Sequence, residues 1–432
     1  MIKNKQITSR LVAMMTFLAL AIALGASTAV EAEQSTILAS FVPASKTTVV
    51  EPPIIWQHTY GDDDLFAYDV IQTSDGKFAV TGERIFYDAS AHEGGEIYLL
   101  KTEANGLKFS QTFDGYGIGR FYTGVFIQQT GDTGFVVAGS GTEFPHGFCY
   151  LVQYDPSGNI VWSKTYRPDV GNSTCNGATA TQDGGYLLVG SVKELSGAEK
   201  VYIVKTDALG NMEWDSTISN PSGLGDTGGI ARSVTNAPGG YAITGVVYDK
   251  NATTDSAFLL RLNKFGKVIA KNHYNFSLPD TTKTDIDSKS IQYTKDGFIM
   301  AGSAIGYQGS THPRAAFLLK VSTSGQVRWL NTYGLNTFSS ATSVSRTRDG
   351  GYILAGVTDN YDISSSVHAY IARTDSSGKE LWSKTITDYA VSGGAKITGI
   401  ADGGYIMAGM AVPGGASDTL LVRIAPDIKM SK

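Results

Sequence analysis

The stretch Asp349-Gly350-Gly351-Tyr352-Ile353-Leu354-Ala355-Gly356 contains a tight turn, an aromatic residue, three apolar residues and a closing glycine. Similar segments occur seven times along the chain, at separations of 51 to 57 residues between the closing glycines. These glycines are Gly82, Gly139, Gly190, Gly245, Gly302, Gly356 and Gly409. Strand-like repeats of about this length are typical of propellers or solenoids.

Each repeat divides into four short strands. In the sixth repeat, runs of β-forming residues at 341–347, 352–357, 369–374 and 381–386 are separated by Gly/Asp turns or a loop. Such runs are the signal of strands and hairpins, and no segment of the repeat sustains a helical period. Four strands fit one propeller blade. The sequence therefore predicts an all-β, seven-bladed β-propeller over residues 54–428.

The tryptophans indicate how the ring closes. All five occupy the start of the fourth strand, at Trp56, Trp162, Trp214, Trp329 and Trp382. The first lies in segment 54–60, ahead of the first complete repeat, whereas the last repeat ends after its third strand at 419–424. We therefore predict that strand 54–60 completes the last blade, because a closed ring leaves only short, protected edges.

The first strands share a series of small residues, namely Ala67, Gly124, Cys175, Ala231, Ser288, Ala341 and Ala395. Innermost propeller strands converge on the axis, where large side chains would clash. Cys175 is thus interpreted as a packing residue, and Cys149 falls at a core position of a third strand. A disulfide between the two remains an alternative in an exported protein, since sequence alone does not fix its geometry.

The N-terminus is typical of a secretory signal. A basic segment, 1–10, precedes an apolar run, 11–24, and Val30 and Ala32 suit cleavage before Glu33. The run is shorter than the roughly 20 residues of a membrane span, and an uncleaved anchor is the alternative. We expect a signal peptide at 1–32, a linker at 33–53, no membrane span after signal cleavage, and a location that is secreted, at the cell surface or periplasmic.

Composition narrows the class of protein. Glycine contributes 50 of the 432 residues and aromatic residues contribute 10%, which excludes a disordered chain and disfavours a helical bundle. The formal net charge of −5 becomes −7 after loss of the signal. This balance provides no electrostatic reason to bind nucleic acid or anionic lipid.

Segment 349–356, with the turn that runs from Asp375 to Trp382, resembles a broad family of secreted bacterial and archaeal propeller-repeat proteins, mostly of unknown function. The resemblance covers about residues 54–428 and implies architecture only. The same turn is similar to the tryptophan-docking motif of quinoprotein-type propellers, with one residue fewer between Asp and Gly. It is also similar to the Asp-box of sialidases, which joins the same two strands. We expect no quinone or other cofactor.

Loop lengths differ between the two faces of the predicted disc. The connections from strand two to three, and from strand four to the next blade, are long and variable; we call their side the long-loop face. The opposite side, with short and similar turns, is the tight-turn face. Function concentrates on variable loops held by a rigid scaffold. Candidate binding residues on the long-loop face are Asp64, Asp285 and Asp287, which are expected in loops that run towards first strands, together with Arg120, Tyr307 and Tyr361.

These candidates have ordinary alternatives, because aspartates are favoured in turns and loop aromatics pack on their own loops. His92, His146, His312 and His368 are expected in second-to-third loops of separate blades, so no metal site is predicted. No catalytic motif is present. The leading hypothesis is a binding or scaffold protein for a protein or polysaccharide. The alternatives are an enzyme acting on a carbohydrate polymer through loop carboxylates, and a structural subunit of an extracellular assembly.

Overall fold

The structure is a computed structural model that describes residues 49–61, 64–87, 93–114, 120–143, 146–169, 171–194, 197, 199–223, 227–249, 254–309, 312–334, 339–359 and 367–429. The expected signal peptide and residues 33–48 of the expected linker lie outside these ranges. Regular secondary structure within them is entirely β. No helix in the described ranges is long and apolar enough to cross a membrane.

The strands have the following bounds: β1 Val49–Val50, β2 Ile54–Tyr60, β3 Asp64–Gln72, β4 Phe78–Tyr87, β5 Glu93–Thr102, β6 Lys108–Asp114, β7 Arg120–Gln129, β8 Phe135–Glu143, β9 His146–Tyr154, β10 Ile160–Tyr166, β11 Asn172–Ala180, β12 Tyr186–Lys193, β13 Glu199–Thr206, β14 Met212–Ile218, β15 Thr227–Ala237, β16 Gly240–Asp249, β17 Ser256–Asn263, β18 Val268–Tyr274, β19 Lys283–Thr294, β20 Gly297–Tyr307, β21 Arg314–Ser322, β22 Val327–Tyr333, β23 Ser340–Arg346, β24 Tyr352–Asp359, β25 Val367–Thr374, β26 Glu380–Ile386, β27 Ser392–Gly399, β28 Tyr405–Ala411, β29 Asp418–Ile424 and β30 Ile428–Lys429.

Seven four-stranded antiparallel sheets form a ring, as the sequence predicts. Six blades use consecutive strands, from β3–β6 in blade 1 to β23–β26 in blade 6. Blade 7 combines β27, β28 and β29 with β2, which pairs from Ile54 opposite Ile424 to Tyr60 opposite Thr419. The seven-bladed propeller and its closure by strand 54–60 are therefore confirmed.

Every innermost strand carries a β-bulge opposite the closing glycine of the second strand. In blade 6, Ala341 pairs with Gly356 and Ser343 with the preceding residue of β24, which leaves Thr342 as the extra residue. A Cβ on Gly356 would stand 1.8 Å from the carbonyl oxygen of Ser340. The other six closing glycines would meet the equivalent carbonyl oxygen at 1.7–1.9 Å. Close backbone approach at the bulge therefore explains why glycine recurs.

The register corrects one member of the small-residue series. Gly394, not Ala395, pairs with Gly409, and Ala395 is the extra residue of the bulge. The expected position required a turn in blade 7 that is one residue shorter than the turn in blade 6. The two turns, at 400–404 and 347–351, have the same length, so the expected position was wrong by one residue. The rule that small residues face the closing glycines holds in all seven blades, and it includes the buried Cys175.

Hydrogen bonds connect neighbouring innermost strands beside the bulges. At four blade boundaries, the side chain of the residue after the bulge accepts a hydrogen bond from a backbone N–H of the next blade. The pairs are Asp69 with Ile127 (2.9 Å), Ser233 with Ile291 (3.3 Å), Ser290 with Val344 (3.2 Å) and Ser343 with Ile397 (3.3 Å). Between blades 7 and 1, the ammonium of Lys396 lies 3.5 Å from the Asp69 carboxylate. Polar contacts near the axis thus add to the apolar packing.

Seven apolar clusters fill the boundaries between the blades. At the outer strands, each tryptophan except Trp382 packs on a glycine in the third-to-fourth turn of the next blade. A Cβ on Gly210, whose φ is +75°, would stand 2.6 Å from Trp162. The hydroxyl of Tyr166 donates a hydrogen bond to the Gly210 carbonyl at 2.7 Å. This contact between blades explains why the tryptophans share one position.

Buried cations hold the tight turns of several blades. Arg373 is fully buried and pairs with Asp349 in the turn of its own blade (2.6 Å). It also pairs with Asp427 of the C-terminal tail (2.8 Å), and that carboxylate accepts a hydrogen bond from the Tyr405 hydroxyl. Lys205 repeats the turn contact with an aspartate in blade 3. The recurring turn aspartate is therefore a structural residue, and the tail is anchored between blades 6 and 7.

Both ends of the described chain meet at the tight-turn face. Strand β1 pairs with β30, and Pro53 accepts a hydrogen bond from the backbone of Ala425 at 3.0 Å. Glu51 pairs with Lys384 of blade 6. Residues 49–53, which the sequence assigns to the linker, are thus attached to the propeller. We call this pairing of β1 with β30 the terminal clasp.

Replacement of Gly356 by alanine tests the role of the closing glycine. The new Cβ would overlap the Ser340 carbonyl, so we expect G356A to lower the free energy of unfolding by about 3 kcal/mol or more. Gly131 is a matched control, because a Cβ there meets nothing within 4 Å, and G131A should change stability by less than about 0.5 kcal/mol. Urea denaturation of both variants measures the difference. Similar stability of the two variants would contradict the steric explanation.

Candidate functional site

In each blade, the first strand begins and the second strand ends at the long-loop face, because neighbouring strands are antiparallel. Asp64, Arg120 and Tyr307 are terminal residues of strands, and Asp285 and Asp287 are the third and fifth residues of β19. Tyr361 lies outside the described residues. Asp64, Asp285 and Asp287 were expected in loops, and this expectation was wrong. They belong to first strands, since pairing with the second strands extends further than the sequence indicated.

Asp64 and Asp285 perform the same inter-blade contact. The Asp285 carboxylate accepts a hydrogen bond from the backbone N–H of Asp255 in the preceding blade (2.9 Å), and Ile286 donates its N–H to the Asp255 carbonyl (3.0 Å). Asp64 and Leu65 make the equivalent pair of bonds with Ser417 of blade 7. Both aspartates therefore hold neighbouring blades together. Sequence reasoning missed this role because the partners are distant along the chain.

Arg120 lies apart from the other candidates. Its guanidinium is 3.8 Å from the Glu143 carboxylate across the same blade, and Glu143 also pairs with Arg167 at 3.0 Å. These side chains are each more than one-third exposed, so the ion pairs contribute little to stability. The structure places this charged group on blade 2.

Asp285, Asp287 and Tyr307 do come together, on blade 5 beside blade 4. The Tyr307 hydroxyl donates a hydrogen bond of 2.5 Å to the Asp285 carboxylate. Asp287 pairs with Arg232 of blade 4 at 3.3 Å. We call the group formed by Arg232, Tyr248, Asp255, Asp285, Asp287 and Tyr307 the blade 4–5 cluster.

Three members of this cluster, Arg232, Tyr248 and Asp255, were missed in the sequence. Arg232 is the extra residue of the blade 4 bulge. Other bulge residues also reach the next blade, as Asn176 does by donating to the Ala231 carbonyl at 2.9 Å. Arg232 therefore contributes both to the scaffold and to the charge of the cluster. In the sequence, Arg232 directly follows Ala231 of the small-residue series, and this position was the signal that could have identified it.

Electrostatics distinguish the blade 4–5 cluster from a set of solvated turn residues. Burial, followed by the nearby charges of Asp285 and Asp287, raises the pKa of Asp255 to about 7. Burial lowers the pKa of the neighbouring Lys289 to about 8, although Asp287 opposes this effect. The Lys289 ammonium donates a hydrogen bond to the Ser340 hydroxyl at 2.9 Å. The pKa values of Asp255 and Lys289 thus both lie close to neutral pH.

A second carboxyl with a raised pKa lies across the ring. Burial raises the pKa of Glu83 in blade 1 to about 7, although a hydrogen bond with Thr123 opposes this effect. Glu83 directly follows a closing glycine, as Ser140 does in blade 2. Ser140 exchanges hydrogen bonds with the backbone of Cys175 in the next blade. The hydrogen bond between Glu83 and Thr123 likewise joins neighbouring blades, which gives this carboxyl a structural explanation.

The histidines that the structure describes lie on separate blades. His92 lies outside the described residues, and His146 and His368 belong to β9 and β25 rather than to the expected loops. His312 makes an edge contact with Tyr307, with ring centroids 5.1 Å apart. Within the described ranges, no three His, Cys, Asp or Glu side chains are placed to hold a metal ion.

Both cysteines are buried free thiols at the boundary of blades 2 and 3. Burial, together with the adjacent Cys175 thiol, raises the pKa of Cys149 well above its usual value. Neither is exposed to solvent, so the structure provides no site for thiol nucleophilic chemistry here.

A cavity of about 650 Å³ lies at the tight-turn face between blades 6 and 7. Its lining includes Arg346, Arg348 and the Arg373 network that holds the C-terminal tail. Arg348 donates hydrogen bonds to the carbonyls of Ile400 and Ala401. The polar groups of this cavity are thus largely engaged in holding the turns and the tail.

No protein-family model matches the chain, and no curated protein matches it. Solved structures share its shape at low sequence identity. A protein of unknown function from Dyadobacter fermentans DSM 18053 is 13% identical, with a TM-score of 0.47, over 88% of this chain and 99% of that one. The polysaccharide lyase Uly1 is 9% identical, with a TM-score of 0.50, over 87% of this chain and 99% of that one. These likenesses concern the fold alone.

The raised pKa of Asp255 predicts a pH-dependent stability. The folded protein keeps this proton up to about pH 7, whereas the unfolded chain releases it near pH 4. The contribution of Asp255 to the free energy of unfolding therefore falls as pH rises from about 4 to about 7. Asp255→Asn removes the titration, so the stability of this variant relative to the unmodified protein should increase over that interval.

Chemical denaturation at pH 4.5 and 7.5 measures this difference. Asp280→Asn is the control, because Asp280 is exposed and asparagine tolerates its φ of +59°. A difference between D255N and the unmodified protein that is independent of pH would contradict the assignment.

Proposed function

We propose that this protein is an exported β-propeller that binds a polysaccharide through its long-loop face, over blades 4 and 5. The observation that carries the proposal is the meeting of three carboxyl groups, one guanidinium and two tyrosines in the blade 4–5 cluster. The resemblance to secreted propeller-repeat proteins and the basic and apolar N-terminal segment support export.

The composition of the cluster suits a ligand rich in hydroxyl groups. The carboxylates of Asp285 and Asp287 accept hydrogen bonds, whereas Arg232 and the tyrosine hydroxyls donate them. A sugar hydroxyl does both. The contact of Tyr307 with His312 places aromatic surface beside these polar groups. Opposite charges lie side by side in the cluster, which favours a ligand of low charge over a polyanion such as nucleic acid.

A specific observation also favours an enzyme as the second candidate. Asp255, with a pKa of about 7, lies next to Asp285, whose carboxylate is fixed by the Tyr307 hydroxyl. A carboxyl group with a pKa near neutral beside a second carboxyl group suits general acid and base catalysis on a glycosidic bond. The polysaccharide lyase that shares the fold is a precedent for such a polymer as substrate.

Calorimetry with oligosaccharides selected by a glycan array tests the proposal. Tyr307→Phe removes one hydroxyl, and Asp287→Asn removes one charge, so we expect each to weaken binding about tenfold. The matched control is Arg346→Met, which removes an exposed charge on the tight-turn face and should leave the affinity unchanged.

Equal affinity of all three variants would overturn the assignment to blades 4 and 5. If a control protein on the array is bound and no oligosaccharide is, the ligand is a protein rather than a polysaccharide. Appearance of shortened oligosaccharides that Asp255→Asn abolishes would favour the enzyme.

A further inference from the structure

Exposed apolar side chains are concentrated on the outer rim of the tight-turn face. Apart from Tyr87 and two residues of the terminal clasp, all exposed large apolar side chains in the described ranges lie there. They occupy the third-to-fourth turns and the first two residues of the fourth strands in five consecutive blades. These residues, here called the apolar rim, are Ile55, Leu107, Ile160, Val161, Leu209, Met212, Phe265 and Ile269.

The most exposed members project from turns. Leu209 is 63% exposed and Phe265 is 74% exposed, at the same position of the third-to-fourth turns in blades 3 and 4. Blades 5 and 6 carry Ser324 and Ser377 at this position. Folding does not require an apolar residue here, since the propeller repeat accepts serine equally. Single exposed apolar residues are ordinary, but this concentration on one edge of one face indicates an interaction surface.

The N-terminal chain enters the fold on the same face. Residues 1–48, which include the apolar run at 11–24, join the propeller at Val49 in the terminal clasp. Val50 and Ile428 in this clasp are themselves 38% and 46% exposed. A segment that meets a membrane during export is therefore attached beside the apolar rim, and a retained segment would keep this face towards the bilayer.

The charges around the rim are mixed. Lys264 and Lys267 are accompanied by Asp207 and Glu213 in the neighbouring turn region, and the ammonium of Lys264 lies 4.9 Å from the centroid of the Phe265 ring. This is a cation–π contact, which a lysine can keep while the aromatic ring lies at an interface. Because neither sign of charge predominates, electroneutral lipid suits this surface better than anionic lipid.

We propose that the apolar rim rests on the surface of a lipid bilayer, so that the tight-turn face lies against the membrane and the long-loop face points away. Turn-tip residues of several blades would insert together among the headgroups of electroneutral lipids. This inference does not depend on the ligand of the blade 4–5 cluster, and it gives the tight-turn face a role that its repeated turns did not indicate.

Hydrogen exchange of the full chain, with and without phosphatidylcholine vesicles, tests the proposal. We expect the turns at 207–212 and 263–269 to exchange several-fold more slowly with vesicles present, at low and high salt alike. The equivalent turns at 322–328 and 375–381 in blades 5 and 6 are internal references and should not change.

The double variant Leu209→Ser/Phe265→Ser places the residue of blades 5 and 6 at both positions and should lose this protection. Ser324→Ala/Ser377→Ala is the matched control and should keep it. Binding to vesicles without slower exchange at the rim turns would show that the N-terminal segment alone binds lipid, and would overturn the proposal. If the rim turns exchange slowly without vesicles, and this protection increases with the fraction of dimer measured by sedimentation, the rim binds a second copy of the chain. That result would overturn the proposal.

Discussion

Seven strands must approach one axis, and the space available there constrains the rest of this structure. Each innermost strand meets the constraint with a bulge that turns a carbonyl towards the second strand. The closing glycine is the residue that fits against this carbonyl, as Gly356 does against Ser340. The residue opposite the glycine is small in every blade, and the residue after the bulge commonly binds the next blade. The β-bulge with its closing glycine therefore sets both the geometry of a blade and its junction with the next blade.

The β-bulge also explains the position of the candidate site. The bulge of blade 4 presents Arg232, and the residue before the small residue Ser288 of blade 5 is Asp287. Their ion pair follows the pattern of the uncharged contact that Asn176 makes in blade 3. The blade 4–5 cluster is thus built on scaffold positions that carry charged side chains. A substitution in this cluster affects the junction of two blades as well as any ligand, which is why conservative variants are needed to separate the two effects.

The sequence was sufficient for the ring, because repeated glycines and tryptophans mark equivalent steric positions in each blade. It placed Ala395 one residue away from its true register, since the bulge adds a residue that periodicity does not reveal. It identified Asp285 and Asp287 but neither their partners nor the contact of Asp64 with Ser417, because these contacts join residues of different blades that are 30 or more positions apart. The raised pKa of Asp255 also depends on burial and on carboxylates of the next blade, and no local pattern reports either.

Native-state hydrogen exchange at increasing denaturant is the most direct measurement of the central constraint. If the bulged innermost strands depend on one another around the axis, the amides of Ile127, Ile291 and Val344 should exchange only through global unfolding, with one shared free energy. The outer strands of the blades should open at lower free energies. Exchange of one innermost strand at its own lower free energy, with the other blades still protected, would contradict the account.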